Sequence, residues 1–300
     1  SYMNIVTICR HQDNNQIWVA STEKLYLFDS WEEKFSVFDK QTEDGVSVNS
    51  VFGMAYDNDG QLWIGTTNGL FVYNEKKGTL RQYLHSLSDP HSLPDNHVWV
   101  IYNDSLGTIW IGTRNGLAKY NQRTDNFTWY ISEDTSFGRP ACNEIISLME
   151  SSQGVLWVGT WYGGLARFNK ETGQFRYYFG EGDTLTIPRI RTLFQRTANS
   201  FYLGSDDGLY TFNTTTGECL PTDDEQNKES IYACYQDREG GIWIGTYFSG
   251  VSYLSPKHKD IEWYYPNGTE NSLSGNVISQ FCEDPDGNIW IATEDGGLNL

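Results

Sequence analysis

Residues 104–117 read Asp104-Ser-Leu-Gly107-Thr-Ile109-Trp110-Ile111-Gly112-Thr113-Arg114-Asn115-Gly116-Leu117, and this phrase decides the architecture. Variants of it recur along the 300 residues, seven copies in all, each built around an aromatic anchor: Trp18, Trp63, Trp110, Trp157, Tyr202, Trp243 and Trp290. The anchors stand 45, 47, 47, 45, 41 and 47 residues apart. A period of this length, filled only by short strand-like segments, marks the blades of a β-propeller and not a helical solenoid.

Each copy reads as one blade. Around Trp63, Val51-Phe52-Gly53-Met54-Ala55-Tyr56 is a first strand of small and apolar residues. Asp57-Asn58-Asp59-Gly60 then turns the chain, with Asp57 able to accept backbone N–H bonds and Gly60 able to take a positive φ. Leu62 to Thr66 is the second strand, where Gly65 is expected to let the next blade come close. Asn68-Gly69 signals a tight hairpin into the third strand, Leu70 to Tyr73. Fourth strands carry spaced aromatics, as in Phe127/Tyr130, Phe175/Tyr178 and Phe35/Phe38. The expected fold is all-β: a single seven-bladed propeller over 1–300, with about four antiparallel strands per blade. Leu300 falls in the third strand of the seventh blade, so that blade is expected to lack its outer strand and the chain to be a fragment of a larger multidomain protein.

The chain is 38% hydrophobic and 15% aromatic, enough for a packed interior, and its formal charge of −18 would repel nucleic acid or an anionic membrane surface. It has no apolar run near the length of a membrane span, so no membrane contact by this segment is expected. Cys9, Cys142, Cys219, Cys234 and Cys282 show no Cys-x-x-Cys spacing and read as small buried hydrophobes. The five histidines lack zinc-ligand spacing. The recurring aspartates are expected to form turns, not to act as catalytic acids. No nucleophile elbow, phosphate loop or metalloprotease motif appears, so neither catalytic residues, metal nor cofactor is expected.

The phrase Asp-x-x-Gly-x-Ile-Trp-Ile-Gly-Thr-x-x-Gly-Leu, with Asn271-Ser272-Leu273-Ser274-Gly275-Asn276-Val277 and the stretch from Asp89 to Val98, closely resembles the two-component regulator propeller repeat. The resemblance covers the whole chain, loosely in the Tyr202 copy. It implies the periplasmic sensor region of a Bacteroides-type hybrid two-component histidine kinase. There, two propellers and an immunoglobulin-like domain precede a membrane helix, a kinase core and a response regulator. It further implies an oligosaccharide ligand, and partners among adjacent sensor domains and a second protomer. Kinase modules do not occur in these residues, so the resemblance points to sensing. A lyase-type propeller enzyme acting on polysaccharide, or a ligand-free interaction scaffold, are the competing functions.

A functional site is expected where the repeat is broken. Blade four reads Trp161-Tyr162-Gly163-Gly164 and blade six Tyr247-Phe248-Ser249-Gly250, although hairpin tips need no large aromatics. The loops entering the first strands share that face and bring Trp99, Arg139, Arg189, Arg191 and Tyr232, with Arg114 at the tip of blade three. Aromatics beside arginines in an acidic chain suit a sugar, especially an acidic one, or a domain interface.

Overall fold

The structure is a computed structural model that describes residues 4–12, 15–132, 143–179, 187, 189–222, 229–256 and 261–300. Arg139 and Cys142 lie outside the described residues. The described residues form seven antiparallel sheets and no helix; six sheets have four strands and the last has three. Within each sheet, chain order is spatial order, as in Val98–Asn103, Ile109–Thr113, Gly116–Asn121 and Asn126–Tyr130 of blade three. First strands of successive blades lie side by side, and that of blade seven (Ile278–Glu283) lies against that of blade one (Ile5–Arg10), closing the ring.

The anchor aromatics all stand on second strands, and Trp63 and Trp110 are each only 1% exposed. The expected turn aspartates do more than turn the chain. Asp57 accepts backbone N–H bonds from Asp59 and Gln61 through Oδ1 and the indole N–H of Trp63, at 2.8 Å, through Oδ2. Trp110, Trp243 and Trp290 pair in the same way with Asp104, Asp237 and Asp284, each at 2.9 Å. The close approach expected at Gly65 is present: a Cβ there would meet Val98 Cγ1 of the next blade at 2.6 Å. Blade seven has Ala292 in that column, so the seam to blade one is built without the glycine.

Blade seven ends at its third strand, Gly297–Asn299. Its open edge borders a groove of about 660 Å³ lined by Trp243, Tyr264, Ile289, Ile291 and Asn299, among others. Equivalent positions differ in cover: Phe127 of blade three is 1% exposed, covered by Tyr83 of the preceding blade's outer strand, whereas its counterpart in blade one, Phe35, is 44% exposed.

Candidate functional site

Seven small irregularities build the site. In every blade the pairing between first and second strand slips by one residue at the start of the first strand. The residue left over is Val6, Phe52, Trp99, Ile146, Arg191, Tyr232 or Ser279, in blade order. A bulge of this kind re-aims one side chain out of the ladder. Repeated around the ring, it lays a circle of variable side chains at one mouth of the central channel, whose cavity of about 250 Å³ is lined by Phe52, Trp99, Arg191 and Tyr232 together with deeper first-strand residues.

A second circle is set by the threonine or serine ending each second strand. Thr113 Oγ1 donates to the Gly116 carbonyl and accepts from the Asn115 N–H, fixing the hairpin; Thr66 and Ser205 do the same. The residue that follows sits at the tip: Arg114, Trp161, Asp206, Tyr247 and Glu294 in blades three to seven. Backbone N–H bonds tie four of these tips to the loop before their own blade: Arg114 to His97 at 3.0 Å, Trp161 to Glu144 at 2.9 Å, Tyr247 to Ser230 at 2.9 Å and Glu294 to Val277 at 2.9 Å.

Between the circles runs a continuous aromatic and arginine chain. Phe52 meets Trp99 edge-on at 4.7 Å, and Trp99 stacks with Trp161 at 5.9 Å. The Arg189 guanidinium lies 3.9 Å from the centre of the Trp161 ring, and that of Arg191 lies 4.0 Å from Tyr232 and 5.4 Å from Trp161. Tyr232 stacks on Tyr247 at 4.8 Å, which meets Phe248 edge-on at 4.5 Å. Cation–π contacts of this kind strengthen as they are desolvated, so blades two to six are knitted across the face.

Asp206 organises the charges. Its Oδ2 accepts from Arg189 Nη1 and its Oδ1 from Arg191 Nε, each at 2.5 Å, and Ser230 Oγ adds a longer bond at 3.4 Å. Among the described residues, two buried donors of this cluster have no partner, Trp99 Nε1 and Arg189 Nε. Glu294 stands near Arg191; burial pushes its carboxyl above the usual range, the Arg191 charge pulls it back down, and Asp295 pushes it up.

Of the residues singled out from sequence, Trp99, Trp161, Arg189, Arg191, Tyr247 and Phe248 are brought together, with Tyr162 on the rim, 6.3 Å from Trp161 and 54% exposed. Arg114 is exposed at the tip of blade three, and among the described residues no ion pair, side-chain hydrogen bond or cation–π contact joins it to the cluster. Trp161 is less open than a hairpin tip suggests, because Trp99 and Arg189 both pack on its ring. Asp206, Glu294 and Phe52 were not singled out. Aligning the seven copies on the threonine would have found the first two, which share the column of Trp161 and Tyr247.

Among the described residues no group of three His, Cys, Asp or Glu is placed to hold a metal ion. No helix among them is long and apolar enough to cross a membrane. Cys9, Cys219, Cys234 and Cys282 are free thiols pushed by burial up to about 12, so they are poor nucleophiles.

A closed ring of repeated blades carrying variable side chains at one mouth defines the class as a seven-bladed β-propeller. The chain carries the two component regulator propeller repeat: that family's model matches residues 45–68, 92–115, 140–162, 225–248 and 272–295. No protein of curated function matches it in sequence. Its fold is similar to the extracellular domain of BT3049 from B. thetaiotaomicron, assigned as a hybrid two component system: TM-score 0.84, 23% identity, 99% of this chain and 40% of that one. It is also similar to the extracellular domain of BT4673 from B. thetaiotaomicron, assigned as a one component system, with TM-score 0.77, 22% identity, 99% of this chain and 38% of that one. Virginiamycin B lyase from Staphylococcus aureus shares the fold at TM-score 0.70 and 16% identity, over 99% of this chain and 95% of that one.

Proposed function

We propose that this chain is a ligand-sensing, extracytoplasmic propeller of a two-component receptor, and that its aromatic and arginine mouth binds an oligosaccharide. One observation carries this: bulges in blades two, three, five and six place Phe52, Trp99, Arg191 and Tyr232 at the channel mouth, beside Trp161 and Tyr247. Repeat residues that only hold blades together have no use for this column. Its aromatics offer sugar rings flat apolar faces, and its guanidiniums offer donors to hydroxyl and acid groups. The receptor origin is supported by the repeats that match the two component regulator propeller model and by the two extracellular domains of similar fold, of which this chain spans 40% and 38%. The periplasm is the corresponding location, with adjacent sensor domains and a second protomer as partners. Signalling requires the ligand to favour one arrangement of those domains over another.

A second reading, in which the same mouth is a domain interface, is favoured by Phe248 and Tyr162, which are 68% and 54% exposed on its rim. Calorimetry against neutral and acidic oligosaccharides, with and without the neighbouring domains, separates the two. On the sensing reading Trp161→Ala weakens glycan binding by about 1 kcal/mol while the fold is retained. Failure of every glycan to bind, together with loss of domain association in Trp161→Ala, would replace sensing by an interface. Unsaturated products in mass spectra of the incubated glycans would instead make the chain a lyase.

A further inference from the structure

We propose that the mouth selects oligosaccharides carrying an anionic group, carboxylate or sulfate, which docks on the terminal nitrogens of Arg191 between the Trp161 and Tyr232 rings. This rests on the glycan-sensing reading and sharpens it. The charge count at the mouth is the first support. Arg189 and Arg191 share a single carboxylate, Asp206, whose two oxygens are both engaged. Glu294 feels the Arg191 charge but forms no ion pair with it among the described residues. Two guanidiniums therefore share one directly paired carboxylate, and the second acid nearby, Glu294, acts on Arg191 only at a distance.

Geometry is the second support. Asp206 takes only Nε of Arg191, and the two Nη nitrogens have no partner among the described residues. Those two nitrogens form a parallel fork suited to a carboxylate or sulfate edge. The guanidinium is held by Tyr232 and Asp206 and lines the channel mouth, so the fork is preorganised. The third support is the pair of buried donors in the same cluster that have no partner among the described residues, Trp99 Nε1 and Arg189 Nε. A buried donor without a partner is costly, and a small rotation of either ring or guanidinium toward an acceptor-rich ligand recovers that cost.

The test is isothermal titration of the protein with matched pairs: pentagalacturonate against its methyl ester, and a κ-carrageenan tetrasaccharide against its desulfated form. The acidic member of at least one pair should bind about tenfold or more tighter than its neutral partner, and which pair does so tells carboxylate from sulfate. Arg191→Lys keeps the charge but loses the fork, and should bring acidic and neutral members to within a fewfold of each other. Glu294→Gln, which removes a nearby negative charge without touching the Asp206 clamp, should tighten only the acidic member. Equal binding of acidic and neutral members, or an Arg191→Lys protein of unchanged melting temperature and undiminished preference, overturns the anionic selection and leaves glycan sensing standing. If neither member of either pair binds, both fall.

Discussion

A single carboxylate serving two neighbours explains why aspartate and tryptophan travel together six residues apart. In blade three the same group serves a third. Lys170 of blade four donates to Asp104 at 2.8 Å and to Glu150 at 2.5 Å, and the Asp104 and Glu150 side chains are 1% and 6% exposed. Burial pushes the Asp104 carboxyl up, but hydrogen bonds from Lys170, Trp110 and the Thr108 backbone outweigh it and hold it below its ordinary 3.8. Burial likewise opposes, and bonds from Lys170 and Ser105 win, at Glu150, whose ordinary value is 4.5. Lys170→Met strands two buried carboxylates and should cost about 3 kcal/mol in urea unfolding at neutral pH. With both folded values lowered, the stabilisation is complete above 3.8 and 4.5 and is lost as pH falls through the lower folded values. The gap between wild type and variant should therefore narrow with acid. A gap that stays constant between about pH 7 and about pH 3 would mean Lys170 acts through packing alone.

At the level of strands, the internal repeat makes each blade a control for the others. Phe127 and Phe35 hold the same register, opposite Tyr120 and Phe28 on their third strands. Phe127 is sealed by Tyr83 of the previous blade, while Phe35 borders the blade that ends at Gly297–Asn299. Phe127→Ala should cost about 3–5 kcal/mol and Phe35→Ala below about 1 kcal/mol, read from denaturant midpoints. Equal costs would mean that Phe35 is covered in solution. The blades, the anchors and the hairpins were legible in the sequence because period, turn chemistry and alternation all repeat. The incomplete seventh blade was legible for the same reason. The bulges were not, since a bulge changes pairing without changing residue type, and so Phe52, Trp99, Arg191 and Tyr232 could not be seen as one column. Asp206 was hidden differently: in Asp206-Asp207-Gly208 it passes for ordinary turn chemistry.

Over the whole molecule, the acidic surface and the arginine mouth oppose each other. The chain has 21 basic and 39 acidic residues, a formal charge of −18, so an anionic glycan approaches against a repulsive field. That field reaches about 30 Å at 0.01 M salt and only about 8 Å at 0.15 M. The attraction to Arg191 acts at contact, where intervening salt is excluded, and is screened much less. Added salt should therefore remove more repulsion than attraction. Association of an acidic oligosaccharide should accelerate between about 0.01 M and 0.15 M salt, with little change in dissociation, while a neutral one of equal length keeps its rate. Stopped-flow tryptophan fluorescence can follow this, since Trp99 and Trp161 lie in the mouth. Association that slows steadily with salt for the acidic ligand would show the local positive charge dominating at long range. Equal salt response of acidic and neutral ligands would place binding away from Arg191.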